Sequence, residues 1–157
     1  LLFTTGLHGA GTPMTELFLC LQGNWPLPRT GLADDSVWRF PELLLSRMVE
    51  KLFAQGPISE GHLLERSDPA FTDLPWPEDV DALLAVDKPW NPVNERDSIP
   101  PHQRVTLLVL APVKYTRKGR PDAGALATLL ERKRKASWRV LSLRRDDPRV
   151  RLAVLPD

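Results

Sequence analysis

Apolar residues fall in short runs broken by proline and glycine, and the runs differ in period. Thr15 to Leu21 carries apolar side chains on both alternating faces, through Leu17, Phe18, Leu19, Cys20 and Leu21. That pattern predicts a strand covered on both sides. Arg104 to Ala111 is the clearest strand, with Val105, Leu107 and Val109 alternating with Thr106, Leu108 and Leu110. It is expected near the sheet centre. Shorter strands are predicted at Leu1 to Thr5, Gly61 to Glu65, Val80 to Val86 and Trp138 to Leu143, with a further one at Val150 to Leu155.

A helical period takes over from Trp38 to Ala54, where Leu44, Leu45, Met48 and Leu52 share one face and Arg39, Glu42, Ser46 and Glu50 the other. Pro41 suits the first turn, because its missing N–H would be unpaired there anyway, and Gly56-Pro57 is a stop. A second helix is predicted from Ala123 to Lys135, capped by Asp122, with Leu126, Leu129 and Leu130 on its buried side. Its last turn, Arg132 to Lys135, sets four cations against the negative end of the helix dipole.

The connections are long. Gly6 to Pro13 reads as a turn, Gln22 to Ser36 as a loop, and Ser67 to Asp79 as an acidic, proline-rich loop. Asp87 to Gln103, with Pro89, Pro92, Pro100 and Pro101, excludes regular structure, and loops of that length commonly carry function. Strands and two separated helices without βαβ alternation predict an α+β fold: a mixed or antiparallel sheet packed with helices at about 38–54 and 123–135.

At 157 residues the chain suits one domain, spanning 1–157. It has no apolar run near the ~18 residues that a membrane span needs. Leu1 to Thr5 lacks a basic flank and a long apolar stretch, which argues against a signal peptide, and the absence of an initiator Met predicts a start part-way into a longer protein. The single cysteine, Cys20, lies inside an apolar run; this suits a reducing, cytoplasmic setting and a buried thiol.

Net charge is +1, but residues 1–103 hold 7 basic and 15 acidic side chains and residues 104–157 hold 14 and 5. The halves therefore carry −8 and +9, which implies either a basic partner-facing surface or charge pairing inside the fold.

Candidate chemistry is sparse. Gly6, Gly9 and Gly11 follow a strand, but Thr12-Pro13 leads to another strand and no Gly-Lys-Ser/Thr follows, so a phosphate loop is not supported. His8, His62 and His102 stand in loops or turns, and His62 with Glu65 gives only two metal ligands. There is no Gly-x-Ser-x-Gly elbow. Glu131-Arg132-Lys133 imitates half of a nuclease pattern but falls at a helix end. Arg117, Lys118, Arg120 and Arg132 to Lys135 have the charge for phosphates; however, only Tyr115 and Trp138 supply aromatics nearby and no base-reading motif occurs. A solvated or protein-facing basic surface is the favoured reading. No catalytic residue, metal site or cofactor is predicted.

Of the five tryptophans, Trp38 and Trp138 belong to regular elements, while Trp25, Trp76 and Trp90 adjoin prolines in loops. The last three either anchor their loops or stand exposed as interface anchors. Expected partner-binding residues are Trp76 and Trp90 with the basic turn, Lys114, Arg117, Lys118 and Arg120.

In order, these segments resemble the Suppressor of fused family. Leu2-Phe3-Thr4-Thr5-Gly6-Leu7 followed by Glu16-Leu17-Phe18-Leu19-Cys20-Leu21 is similar to the family's threonine–glycine turn and Glu-Leu strand. Trp25-Pro26-Leu27, the Trp-led helix Trp38 to Leu52, the step Glu60-Gly61-His62, the strand Val105 to Leu110, the helix Gly124 to Leu130 and the closing Trp138 to Arg145 continue the likeness. Two features depart from it: Gly61 stands where eukaryotic members have an acidic residue before the histidine, and the second domain of the animal proteins has no counterpart here. The likeness is to the single-domain bacterial form. It implies an α+β fold, no catalysis and a protein ligand, most specifically a cognate toxin neutralised by stoichiometric occlusion. A general scaffold or interaction domain of a larger protein is the alternative, and a nucleic-acid binder a more distant one.

Overall fold

A strand such as Leu17-Phe18-Leu19-Cys20 points an apolar side chain to each face in turn, so its sheet needs cover above and below. A computed structural model describes residues 2–4, 15–22, 25, 36–55, 58–88, 106–117 and 119–143. Its elements are β1 (Leu2–Phe3), β2 (Thr15–Leu21), a 3-10 turn (Val37–Arg39), α1 (Phe40–Gln55), β3 (Leu63–Glu65), β4 (Ala82–Asp87), β5 (Thr106–Val113), α2 (Ala123–Lys135), the single helical turn α3 (Trp138–Leu141) and β6 (Ser142–Leu143). The fold is α+β, as expected.

The six strands form one mixed sheet in the order β1-β2-β5-β4-β3, with β6 also on β2. β2 runs parallel to β5, pairing Thr15 to Phe18 with Thr106 to Val109, and parallel to β6, pairing Cys20 and Leu21 with Ser142 and Leu143. The remaining pairs are antiparallel, including the six-residue ladder between β4 and β5. β5 is central, as predicted.

Alternation along the strands makes two cores. Leu17, Leu19, Leu83, Ala85, Leu108 and Leu110 face α1, where Phe40, Leu44, Met48 and Leu52 meet them. Phe18, Cys20, Leu84, Val86, Val109 and Ala111 face the opposite way, beneath α2 and α3. The second cover is thinner: α2 has no fully buried residue, and Leu126, Leu129 and Leu130 pack only in part.

The acidic loop after β3 is part of the first core rather than an appendage. Phe71, Leu74, Trp76 and Val80 are buried in it, and the Trp76 indole N–H donates to the Phe71 carbonyl at 2.8 Å. Arg47 of α1 grips the loop from outside, donating to the Ala70 carbonyl and to both carboxylate oxygens of Asp73. Lys51 pairs with Asp68 and lies 4.6 Å from the Phe71 ring centre.

The hydrogen bond from Lys51, then that from the Ala70 N–H, hold the Asp68 carboxyl below its ordinary value. A carboxyl depressed in the folded state contributes stability that is present above the unfolded pKa and lost as pH falls through the folded one. Below about pH 4 the chain should therefore lose this contribution. Asp68→Asn keeps an acceptor for Ala70 but not the charge, so its unfolding midpoint should decline less with acid than the parent's. Parallel acid dependences of the two midpoints would refute the assignment.

Two expectations need correction. Trp138 to Leu143 is not one strand: Trp138–Leu141 is helical and only Ser142–Leu143 pairs with the sheet. Ser142 and Leu143 pair with the last two positions of β2, and the preceding residues instead cover the second core, with Trp138 6.0 Å from Phe18 between ring centres. Trp76 is 1% exposed, so it cannot serve as a partner-facing anchor. Trp25 is also a core anchor, edge-on to Trp38 at 5.2 Å with its N–H on the Trp38 carbonyl. The turn at Gly6 to Pro13, the strand expected at Val150 to Leu155, and Trp90 with most of its loop lie outside the described residues.

Candidate functional site

The basic turn predicted as partner-binding grows out of the end of β5. Gly119 closes it with φ of 80°, a conformation that side chains with a Cβ rarely adopt, and donates its N–H to the Thr116 carbonyl at 2.9 Å. Tyr115 fixes the turn to the sheet edge: its N–H donates to Asp81 at 2.7 Å and its hydroxyl to Glu65 at 2.6 Å. Burial and then this bond to Glu65 push the hydroxyl above its ordinary value, so it remains a donor. From the turn, Lys114 reaches Asp79 and Arg120 reaches Glu65, the latter at 3.1 Å.

Facing this turn is α2, set in place by its own start and end signals. Asp122 caps it through Ala125 N–H at 2.8 Å. Its last turn is clipped to the sheet edge: Arg134 donates from Nε to Glu60 at 2.7 Å and makes a second contact with the other carboxylate oxygen. Glu60 also accepts the Asp87 N–H at 3.0 Å. Lys88 donates to the Arg134 carbonyl at 2.7 Å, and Lys133 to the Pro112 carbonyl at 2.8 Å. Gly61, at φ 84°, donates to the Ala85 carbonyl at 2.8 Å and thereby sets Glu60 for the clip.

Between turn and helix runs a groove of about 680 Å³, with Lys114, Arg120 and Arg132 among its walls and Pro121, Ala125 and Leu129 among its apolar surfaces. A smaller recess of about 360 Å³ shares Pro112, Lys114 and Lys133 with it and ends at Asp79 and Val140. Val140 is 44% exposed; among the described residues only it and Phe3 are large hydrophobics that stand open to solvent. Arg117 and Arg132 are exposed and have no acidic partner among the described residues.

The charge asymmetry is thus partly internal. Lys114–Asp79, Arg120–Glu65 and Arg134–Glu60 each join the basic C-terminal part to the acidic part before it. The structure places Lys114 and Arg120 on the groove and Arg117 on the same turn, separates Trp76 from it, and does not describe Lys118 or Trp90. Arg132 and Lys133 were visible in sequence as a dipole-matched helix end. Their place in the groove follows from the docking of α2, and Val140 was hidden by the misassigned strand.

The chemistry tested in sequence can now be located. Cys20 is 4% exposed, and burial pushes its thiol above the ordinary value, away from the thiolate that a nucleophile needs. His62 is exposed beside the clip. No group of three potential metal ligands occurs among the described residues, and no helix described is long and apolar enough to cross a membrane. No protein-family model matches the chain, and neither characterised proteins nor solved structures provide a match.

Proposed function

We propose that this domain acts by gripping another protein, and that its most specific role is to neutralise a cognate bacterial toxin by stoichiometric occlusion. The observation that carries this reading is the groove between the basic turn and α2, whose lining mixes Pro121, Ala125 and Leu129 with cations, beside a recess lined by the exposed Val140. Apolar centres with charged rims are the ordinary anatomy of protein interfaces. The ordered likeness to the Suppressor of fused family supports the same conclusion from the sequence. A contact of about 800 Å² on each side is enough for such a complex, and the basic rim would speed its formation.

Nucleic acid fits the groove less well. Among its described lining residues Tyr115 is the only aromatic on which a base could stack, and its hydroxyl is committed to Glu65.

Co-purification of the tagged chain from its native host, read by mass spectrometry, tests the proposal. One small toxin-like protein recovered at equal stoichiometry is the expected result. Recovery of several unrelated intracellular proteins, none in equal amount, would replace neutralisation by the scaffold reading. Recovery of no protein would defeat the binding function itself.

A further inference from the structure

We infer that the occupant of the groove is an acidic, partly apolar peptide segment of the protein partner; this rests on the binding function proposed above. The charge of the walls carries the argument. Lys114, Arg120, Arg132 and Lys133 line the groove against one carboxylate among the described lining residues, Asp122, with Asp79 in the lining of the adjoining recess.

The cations are available in different degrees. Arg132 is exposed without an acidic partner among the described residues. The Lys114 side chain is 63% exposed and its partner Asp79 59%, while Arg120 is 66% exposed against Glu65. An ion pair as wet as Lys114–Asp79 contributes little to the fold, so a ligand carboxylate can replace Asp79 at small cost, whereas Glu65 is 20% exposed and would share Arg120 with the ligand. The pairs of Lys114 with Asp79 and Arg120 with Glu65 show the arrangement that a ligand carboxylate would extend to Arg132.

The apolar surfaces decide against a purely anionic occupant. Pro121, Ala125 and Leu129 lie between the cations, and Val140 flanks the recess beyond Pro112. A segment that alternates acidic and apolar side chains satisfies both sets of contacts. An inorganic anion or a nucleic-acid backbone satisfies only one. The volume, about 680 Å³, is that of a cleft for a small ligand and admits a few residues of a longer segment.

The test uses fluorescence anisotropy with three labelled probes: a short peptide alternating glutamate and leucine, its lysine–leucine counterpart, and a single-stranded DNA oligomer. The glutamate–leucine peptide should bind, more weakly as salt rises, and the lysine–leucine peptide should not. Arg132→Glu breaks no ion pair among the described residues and should weaken that binding about tenfold or more. Lys114→Gln should weaken it in the same direction. Lys135→Glu, on the same helix but outside the groove lining, should change it less than about threefold.

Absence of acidic-peptide binding at low salt would overturn the assignment. So would equal weakening by Lys135→Glu, or tighter binding of the DNA. Arg132→Glu and Lys114→Gln also separate this inference from the function beneath it. If both still recover the parent's stoichiometric host partner undiminished, the groove assignment fails and the gripping function stands.

Discussion

Alanine at position 76 should lower the unfolding free energy by about 3–5 kcal/mol, the range for truncating a large aromatic in a core. Trp76 is 1% exposed, its ring centre lies 4.8 Å from that of Phe40, and its N–H satisfies the Phe71 carbonyl at 2.8 Å. Truncation leaves a cavity against α1 and removes the donor from a carbonyl in the buried loop. Trp76→Phe keeps most of the ring contact and loses the donor, so about 1–3 kcal/mol is expected. Denaturant titration should show the midpoint falling with little change of slope. A loss below about 1 kcal/mol for alanine would mean that the loop does not belong to the core.

The second large effect is expected at the clip that holds α2. Glu60→Ala removes the acceptor of two Arg134 donors and of the Asp87 N–H together. The two side chains are 24% and 38% exposed, so solvent screening discounts the pair, and about 1–2 kcal/mol is expected. The loss should be concentrated in α2, which has no fully buried residue to hold it otherwise. Amide exchange in α2 should accelerate about five- to thirtyfold, corresponding to an opening easier by about 1–2 kcal/mol, while β4 and β5 keep their protection. Arg134→Ala combined with Glu60→Ala should cost less than the two added separately, by about 0.5–1.5 kcal/mol. Simple additivity would show that the two residues act independently.

These two sites differ in how much the sequence disclosed of them. Trp76 stands beside prolines in a loop, a setting that suits a structural anchor first and an exposed interface anchor second. Nothing local fixes whether such a loop turns inward. The contacts that seat it come from α1, far away in sequence: the Phe40 ring against Trp76, and Arg47 and Lys51 on Asp73 and Asp68. For the clip, Gly61 and the basic end of α2 were each legible as features, yet their 74-residue separation concealed that Glu60 and Arg134 meet.

Local signals sufficed where the determinant is itself local. Thr15–Leu21 appears as the strand that its two-faced apolar run requires, and Asp122 caps Ala123–Lys135 because an aspartate at that position can reach a free N–H of the first turn. The period also predicted cover on both faces of the sheet. By contrast, Trp138 to Leu143 has an alternation compatible with a strand, yet Trp138–Leu141 is helical and packs into the second core, and only Ser142–Leu143 pairs with β2. The parallel pairing of β2 with β5 likewise joins positions about ninety residues apart, a contact paid for in chain entropy that no local pattern records.

The groove lies on this same division. Sequence by itself determined the α+β class, the basic turn, the capped helix and the surplus of cations in the C-terminal third. The tertiary structure decided which of those cations neutralise Glu60, Glu65 and Asp79, and which face the groove. The physical reason is range: backbone propensity and periodicity act over a few residues, whereas charge pairing and the docking of α2 depend on distances in space that only the folded chain sets.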